Sequence, residues 1–331
     1  MEGVSTWMRA PGSESGVGAA EQVAVTGSER EQRLAARPRG LSHAQGYRPE
    51  VAGWLRLGFG YERTTGRSRL LVQEQRPPLQ VVRAFSTDEG GALVHVHNLS
   101  GGVLGGDRCA LEIEVGPGAR VMLTSTGATR LYRPRAEDRP ALQRWQVHVG
   151  AGALLEHLPD ALIPFAGARY RQEVLISLAE DAGLFWWEIV APGRVARGEC
   201  FAYEWLELLF TISRGEFPLA LERFRLEPQQ RSPGTLARLG PFRYCASLYV
   251  CRTGQPRQRW ADLEAELAGL AQELSQSGAC LWGVSRLVAD GLVVRGLAQE
   301  GLPLSAGLPQ FWRLARLRLY GRTLPLPRKI T

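Results

Sequence analysis

The chain has 331 residues, 44% of them hydrophobic, with 40 Lys+Arg against 33 Asp+Glu and a formal net charge of +7. Its length allows a large core, and Lys329 is the only lysine, which excludes Schiff-base chemistry on an internal lysine and a Walker-type lysine contact to phosphate. The five cysteines Cys109, Cys200, Cys245, Cys251 and Cys280 are widely spaced and odd in number, which argues against a disulfide framework or a Cys-x-x-Cys zinc site and for a reducing cytoplasm.

Residues 1–50 are rich in Gly, Ser, Glu, Ala and Arg, with Trp7 and Tyr47 as their aromatics. A segment of that kind buries too little apolar surface to offset its ordering entropy, so a disordered N-terminal tail is expected, followed by a single β-rich domain over residues 51–331. No basic segment leading into an apolar stretch opens the chain, and no apolar run reaches about eighteen residues. A cytoplasmic protein with no membrane partner is the expectation.

From Trp54 onward the texture is short runs of β-branched, leucine and aromatic residues broken by Gly and Pro. Three strand–turn–strand units stand out: 109–125 turning at Gly116-Pro117-Gly118, 142–158 turning at Gly150-Ala151-Gly152, and 170–189 turning at 180–183. Turns recurring roughly every 30 to 35 residues suggest stacked β repeats. Further strands are predicted at 200–213, 216–226, 244–250, 283–289 and 291–296. Two helices are predicted. One covers 260–276, with Leu263, Leu267, Leu270 and Leu274 on one face. The other covers 309–320, with Phe311, Leu314, Ala315 and Arg318 on one face. The fold class is therefore mostly β, a layered stack of sheets with two α-helices near the C-terminus.

The densest motif runs from His95 to Arg133. A strand enters a loop holding Gly101, Gly102, Gly105 and Gly106, closed by Asp107, where backbone approaches backbone too closely for a Cβ. This is no phosphate cradle, because Asp107 follows and a strand comes next in place of Lys-Ser/Thr and a helix. A second segment, Thr124-Ser-Thr-Gly-Ala-Thr-Arg-Leu-Tyr-Arg133, follows an intervening strand, turn and strand.

Taken together, Ser-Gly-Gly-x-x-Gly-Gly-Asp and Thr-x-Gly-Ala-Thr-Arg-x-Tyr-Arg resemble the signature of the urease accessory protein UreD, or UreH, family. Segments at 155–168, 187–199 and 221–223 are similar to further family motifs, as are Phe311-Trp312, Leu319-Tyr320-Gly321-Arg322 and Pro327-Arg328. His157 departs from the pattern where the family usually has an aromatic, and Leu99 where proline is common. The resemblance covers about residues 51–330. It implies an elongated, helix-like stack of sheets and a non-enzymatic factor that acts with UreF and the GTPase UreG to deliver nickel into apo-urease. It also implies a route for transient Ni²⁺ with no tightly bound cofactor, and it carries over to Asp107, Thr129, Glu188 and Glu222. Gly101, Gly102, Gly105, Gly106, Gly127, Tyr132 and Arg133 are the matching structural positions.

Other readings stay open on the residues themselves. His95 and His97 share a strand face and can offer an imidazole pair to Ni or Zn, or simply end a half-exposed strand. Asp107, Glu188 and Glu222 sit in apolar or tightly turned surroundings. They are either buried acids paired with an arginine such as Arg108, Arg194 or Arg223, or the lining of a hydrated passage that attracts a divalent cation. Paired carboxylates such as Asp107 and Glu188 also suit a cytoplasmic β-solenoid enzyme acting on a saccharide. The arginines from Arg130 to Arg139 fit an acidic protein partner better than nucleic acid, since no stacking aromatics alternate with them.

Overall fold

The computed structural model describes residues 53–135 and 139–327; the tail expected over residues 1–50 lies outside the described residues. In chain order the strands begin β1 (Gly53–Glu62), β2 (Arg67–Arg76), β3 (Leu79–Gln80), β4 (Ala84–Ser86), β5 (Ala92–Asn98) and β6 (Arg108–Val115). They continue as β7 (Arg120–Ser125), β8 (Thr129–Leu131), β9 (Ala141–Val149), β10 (Leu154–His157), β11 (Leu162–Pro164) and β12 (Arg169–Leu178). β13 (Gly183–Val190), β14 (Trp205–Arg214), β15 (Phe217–Leu226) and β16 (Tyr244–Arg252) follow. Helix α1 (Arg257–Leu274), β17 (Cys280–Arg286), β18 (Gly291–Ala298) and helix α2 (Gly301–Tyr320) complete the order.

The strands form a seven-stranded sheet, β15-β14-β12-β9-β6-β1-β2, and an eleven-stranded sheet whose path is β17-β18-β16-β13-β10-β7-β5-β3; neither closes. β1, β6, β9, β12 and β14 run parallel, as do β5, β7, β10 and β13 in the second sheet. The three turns read from the sequence are corners that carry the chain from one sheet to the other, so each strand pair is one coil of a parallel stack. Successive corners are hydrogen-bonded: Gly150 donates to Val115 O at 2.7 Å, Gly118 to Ala151 O at 2.9 Å, and Gly152 to Glu180 O at 2.9 Å. A Cβ on Gly150 would lie 2.9 Å from both Val115 O and Pro117 N, which is why the corner needs glycine there.

Adjacent residues on a strand face opposite sides, and the tryptophan pair of β13 shows the result. Trp186 enters the apolar core between the sheets with Leu57, Leu111, Trp145 and Phe210. Trp187 enters a second core, where α1 and α2 cover the outer face of the larger sheet. A third cluster, with Ala141, Tyr170, Leu206 and Leu226, fills the far end of the space between the sheets. No helix among the described residues is long and apolar enough to cross a membrane.

Both helices differ from expectation in detail. α1 starts at Arg257 and buries Trp260, Leu263, Leu267 and Ala271. α2 starts at Gly301 and contains Pro309, where the sequence predicted its beginning. Proline lacks an N–H and normally ends a helix, but here both flanking turns are buried through Leu304, Leu308, Phe311 and Trp312, which holds the helix through it. Arg318, expected on the buried face, is exposed and pairs with Glu266 at 2.6 Å; the buried arginine is Arg316. The strand predicted over 200–213 begins only at Trp205, because the chain turns before it, with Phe201 at φ 54.

Candidate functional site

Along most of their length the facing strands present apolar side chains to one another, and one rung breaks that pattern. In the smaller sheet, register aligns Cys109, Gln143, Gln172 and Leu208 across β6, β9, β12 and β14. In the larger sheet it aligns Glu188, Ser247 and Arg295 across β13, β16 and β18. This polar rung lies between the central core and the cluster around Tyr170. Buried polar atoms must find partners there. The Tyr170 hydroxyl donates to Gln143 Oε1 at 2.6 Å and sits 3.0 Å from Gln172 Oε1, while Gln172 Nε2 donates to Glu188 Oε1.

Glu188 is half-buried, has no ion-pair partner among the described residues, and borders two cavities. One cavity of about 270 Å³ is lined by Gly101, Gly127, Thr129, His157, Gln172 and Glu188. A second of about 270 Å³ is lined by Glu188, Glu222, Cys245, Ser247, Tyr249 and Arg295. Glu188 is therefore the wall common to both. Burial pushes its carboxyl up to about 7; the Gln172 amide pulls it down, and the Glu222 carboxylate adds to the rise. An unfolded carboxyl at the ordinary 4.5 loses its proton while the folded one keeps it. The native state then binds more protons between these values, and stability falls as pH rises through that window. Glu188→Gln is expected to flatten this part of the stability curve, as read by thermal unfolding from pH 4.5 to 7; an unchanged slope assigns it to another group.

The glycine loop and the threonine-rich segment form the mouth of the first cavity by packing onto each other. Val103 N donates to Arg130 O at 2.8 Å, and Tyr132 N donates to Val103 O at 2.9 Å. A Cβ on Gly102 would lie 2.5 Å from Arg130 O, and one on Gly105 would lie 2.0 Å from Pro134 Cα; Gly127 has nothing within 4 Å. Gly101, at φ 71, and Gly106, at φ 86, need glycine for their backbone conformation. Gly105→Ala is expected to destabilise the protein by about 1–3 kcal/mol through overpacking, and Gly127→Ala by less than about 0.5 kcal/mol. Urea unfolding of the two variants side by side checks this, and equal midpoints would contradict it.

The acids fall into three environments. Asp107 lies outside both cavities and closes the glycine loop, accepting from Leu104 N at 2.9 Å; burial raises its carboxyl, against the pull of the Leu104 N–H and of Arg108. Glu222 is held by Arg295 through two hydrogen bonds of 2.8 Å and by the Tyr249 hydroxyl. The arginines considered as partners are placed elsewhere. Arg223, next to Glu222 on a strand, points to the opposite face and pairs with Glu207 at 2.7 Å. Arg194 pairs with Glu199 and lies 4.1 Å from the Phe165 ring centroid. Arg108 bonds the Asp107 and Pro140 carbonyls.

The histidines read as an imidazole pair do not form a surface site. His95 is buried with Phe85 at a ring distance of 5.9 Å, and His97 lies at the cavity lining; burial, then His95, lowers the His97 pKa. Among the described residues no group of three or more His, Cys, Asp or Glu is placed to hold a metal.

Glycine loop, threonine segment and Glu188 are thus one constellation, and a family comparison matches the chain that carries it. The model described as "UreD urease accessory protein" matches residues 52–330. The chain belongs to the UreD family. A urease accessory protein UreD from Herpetosiphon aurantiacus is 45% identical over 278 residues, covering 84% of this chain and 96% of its own length. UreD proteins of Deinococcus radiodurans and Halalkalibacterium halodurans are 33% and 31% identical, covering 81% and 82% of this chain and 91% and 97% of their own lengths.

Of the residues carried over from UreD, Thr129 and Glu188 line the first cavity and Glu222 the second, while Asp107 stays at the loop base. Tyr132 packs edge-on against Phe165 at 4.8 Å, and Arg133 is exposed. Sequence reasoning missed Gln143, Gln172, Tyr170, Tyr249 and Arg295. The available signal was parity: Gln143 and Gln172 stand at inward positions of strands whose other inward residues are Ala141, Trp145, Val147, Val149, Tyr170, Val174, Ile176 and Leu178.

Proposed function

We propose that this chain is a non-catalytic urease maturation factor that works in the cytoplasm, binds UreF and apo-urease, and passes Ni²⁺ between them through its interior. UreG would reach it through UreF and hydrolyse the GTP. The single observation that carries the reading is that two cavities of the two-sheet stack share Glu188 in their lining. A carboxylate shared by two chambers, without a cation of its own, attracts a divalent ion from either side.

The saccharide-enzyme reading loses its geometry. Asp107 is not in the cavity with Glu188, and Glu222 is occupied by Arg295 and Tyr249. The test is co-expression of UreF, UreG and apo-urease with and without this chain, followed by nickel content and urea hydrolysis. Loading that depends on the chain is the expected result; equal loading without it defeats the proposal, as would GTP hydrolysis by the purified chain at a GTPase-like rate.

A further inference from the structure

Building on the passage proposed above, we propose that His157 supplies a nitrogen ligand beside Glu188, at which a borderline divalent cation of the Ni²⁺, Cu²⁺ or Zn²⁺ class pauses in the first cavity. His157 is buried at 7% exposure and lines that cavity; its Nδ1 is closed off without a hydrogen-bond partner, so the nitrogen it can offer to the cavity is Nε2. The ring is clamped between Trp186 at 3.9 Å and Trp145 at 5.0 Å between centroids, so its orientation is fixed before any ligand arrives. Burial disfavours the charged form of an imidazole, and the neutral ring has a lone pair to offer a cation.

Register supplies the second ligand. His157 pairs with Trp186 across β10 and β13, and Glu188 is the next residue of β13 on the same face. One strand spacing sideways and two residues along separate their Cα atoms by about 8 Å, a gap an imidazole and a carboxylate can span to one ion with bonds of about 2.1 Å. Imidazole with carboxylate favours Ni²⁺, Cu²⁺ and Zn²⁺ over Mg²⁺. Two protein ligands completed by water give a station that holds an ion briefly.

The test titrates the full-length protein with NiCl₂, with MgCl₂ as the hard-cation control. His157→Phe, which keeps an aromatic ring in the tryptophan clamp, is expected to weaken Ni²⁺ binding at least tenfold, while exposed His148→Asn leaves it unchanged and Mg²⁺ does not compete. In case the phenylalanine disturbs the clamp, pulsed EPR of Cu²⁺ bound to the unaltered protein must show the remote nitrogen of an imidazole, and His148→Asn must retain it. Equal nickel affinity in His157→Phe, or no imidazole nitrogen on bound Cu²⁺, overturns the ligand role. If that happens while Glu188→Ala still blocks urease loading, the station fails and the passage stands. Normal loading with Glu188→Ala defeats the passage itself.

Discussion

Glu188→Ala is expected to cut chain-dependent urease loading at least tenfold while assembly with UreF survives. Glu188 is the one acid bordering both cavities, and among the described residues no arginine neutralises it. Removing its carboxylate leaves the junction with Gln172, Ser247 and the Glu222–Arg295 pair, whose charges already cancel. Glu188→Gln is expected to fail almost as fully, since an amide keeps the shape but loses the charge. Alanine also frees the Gln172 amide, a local cost of about 1–3 kcal/mol that a folded protein of this size tolerates. The measurement is nickel per urease and urea hydrolysis after co-expression, with co-purification of UreF as the assembly control. Full loading with Glu188→Gln would show that no charge is needed at the junction. The raised carboxyl, at about 7, adds a direction: a cation must displace a proton at lower pH, so loading rises from pH 6 to 8 in the parent protein and not in Glu188→Gln.

Arg316→Met is expected to be the most destabilising single change among the ion pairs, at about 3–5 kcal/mol. Arg316 is 2% exposed on α2 and joins Glu89 through bonds of 3.1 and 2.7 Å, Glu156 at 3.1 Å and the Arg322 carbonyl at 3.0 Å. Glu156 is buried as well and accepts from Trp312 Nε1 at 2.7 Å. Burial pushes the Glu156 carboxyl up, and Arg316 and Trp312 pull it down; without the guanidinium that burial is uncompensated. The Glu156→Gln/Arg316→Met double variant is expected to recover part of the loss, because a neutral amide is cheaper to bury than a lone carboxylate. Urea denaturation of the two variants decides it: a single-variant loss under about 1 kcal/mol would mean that water or a rearranged α2 replaces the arginine. Glu156 belongs to the same Leu-Glu-His-Leu-Pro segment as His157, so adjacent residues serve opposite faces of one strand, the acid anchoring a helix and the imidazole facing the cavity.

Much of the architecture was legible because it is local. Gly116-Pro117-Gly118 and Gly150-Ala151-Gly152 announce tight turns, and the alternation in Ala141–Val149 and Arg169–Leu178 announces half-buried strands. The helix face of α1 was read from leucine spacing. Pro309 misled the reading of α2, because a proline's local cost is visible in sequence while the burial that outweighs it is not. Arg318 was misplaced because the face was read through Phe311, Leu314, Ala315 and Arg318, while the buried stripe runs through Leu308, Trp312, Ala315, Arg316 and Leu319.

The sequence by itself determined the family and the mostly β class, and the family motifs pointed to Glu188 and Glu222, two acids that line the cavities, because motifs and turns are carried by neighbours a few residues apart. Only the tertiary structure decided that the turns are corners between sheets, that Gln143 and Gln172 face Glu188, that Arg295 and not Arg223 holds Glu222, and that Asp107 stands apart. Those are contacts between strands tens of residues apart in sequence. Strand parity tells which face a side chain takes, but which strand lies across from it is set by how the whole stack closes its cores around one polar rung.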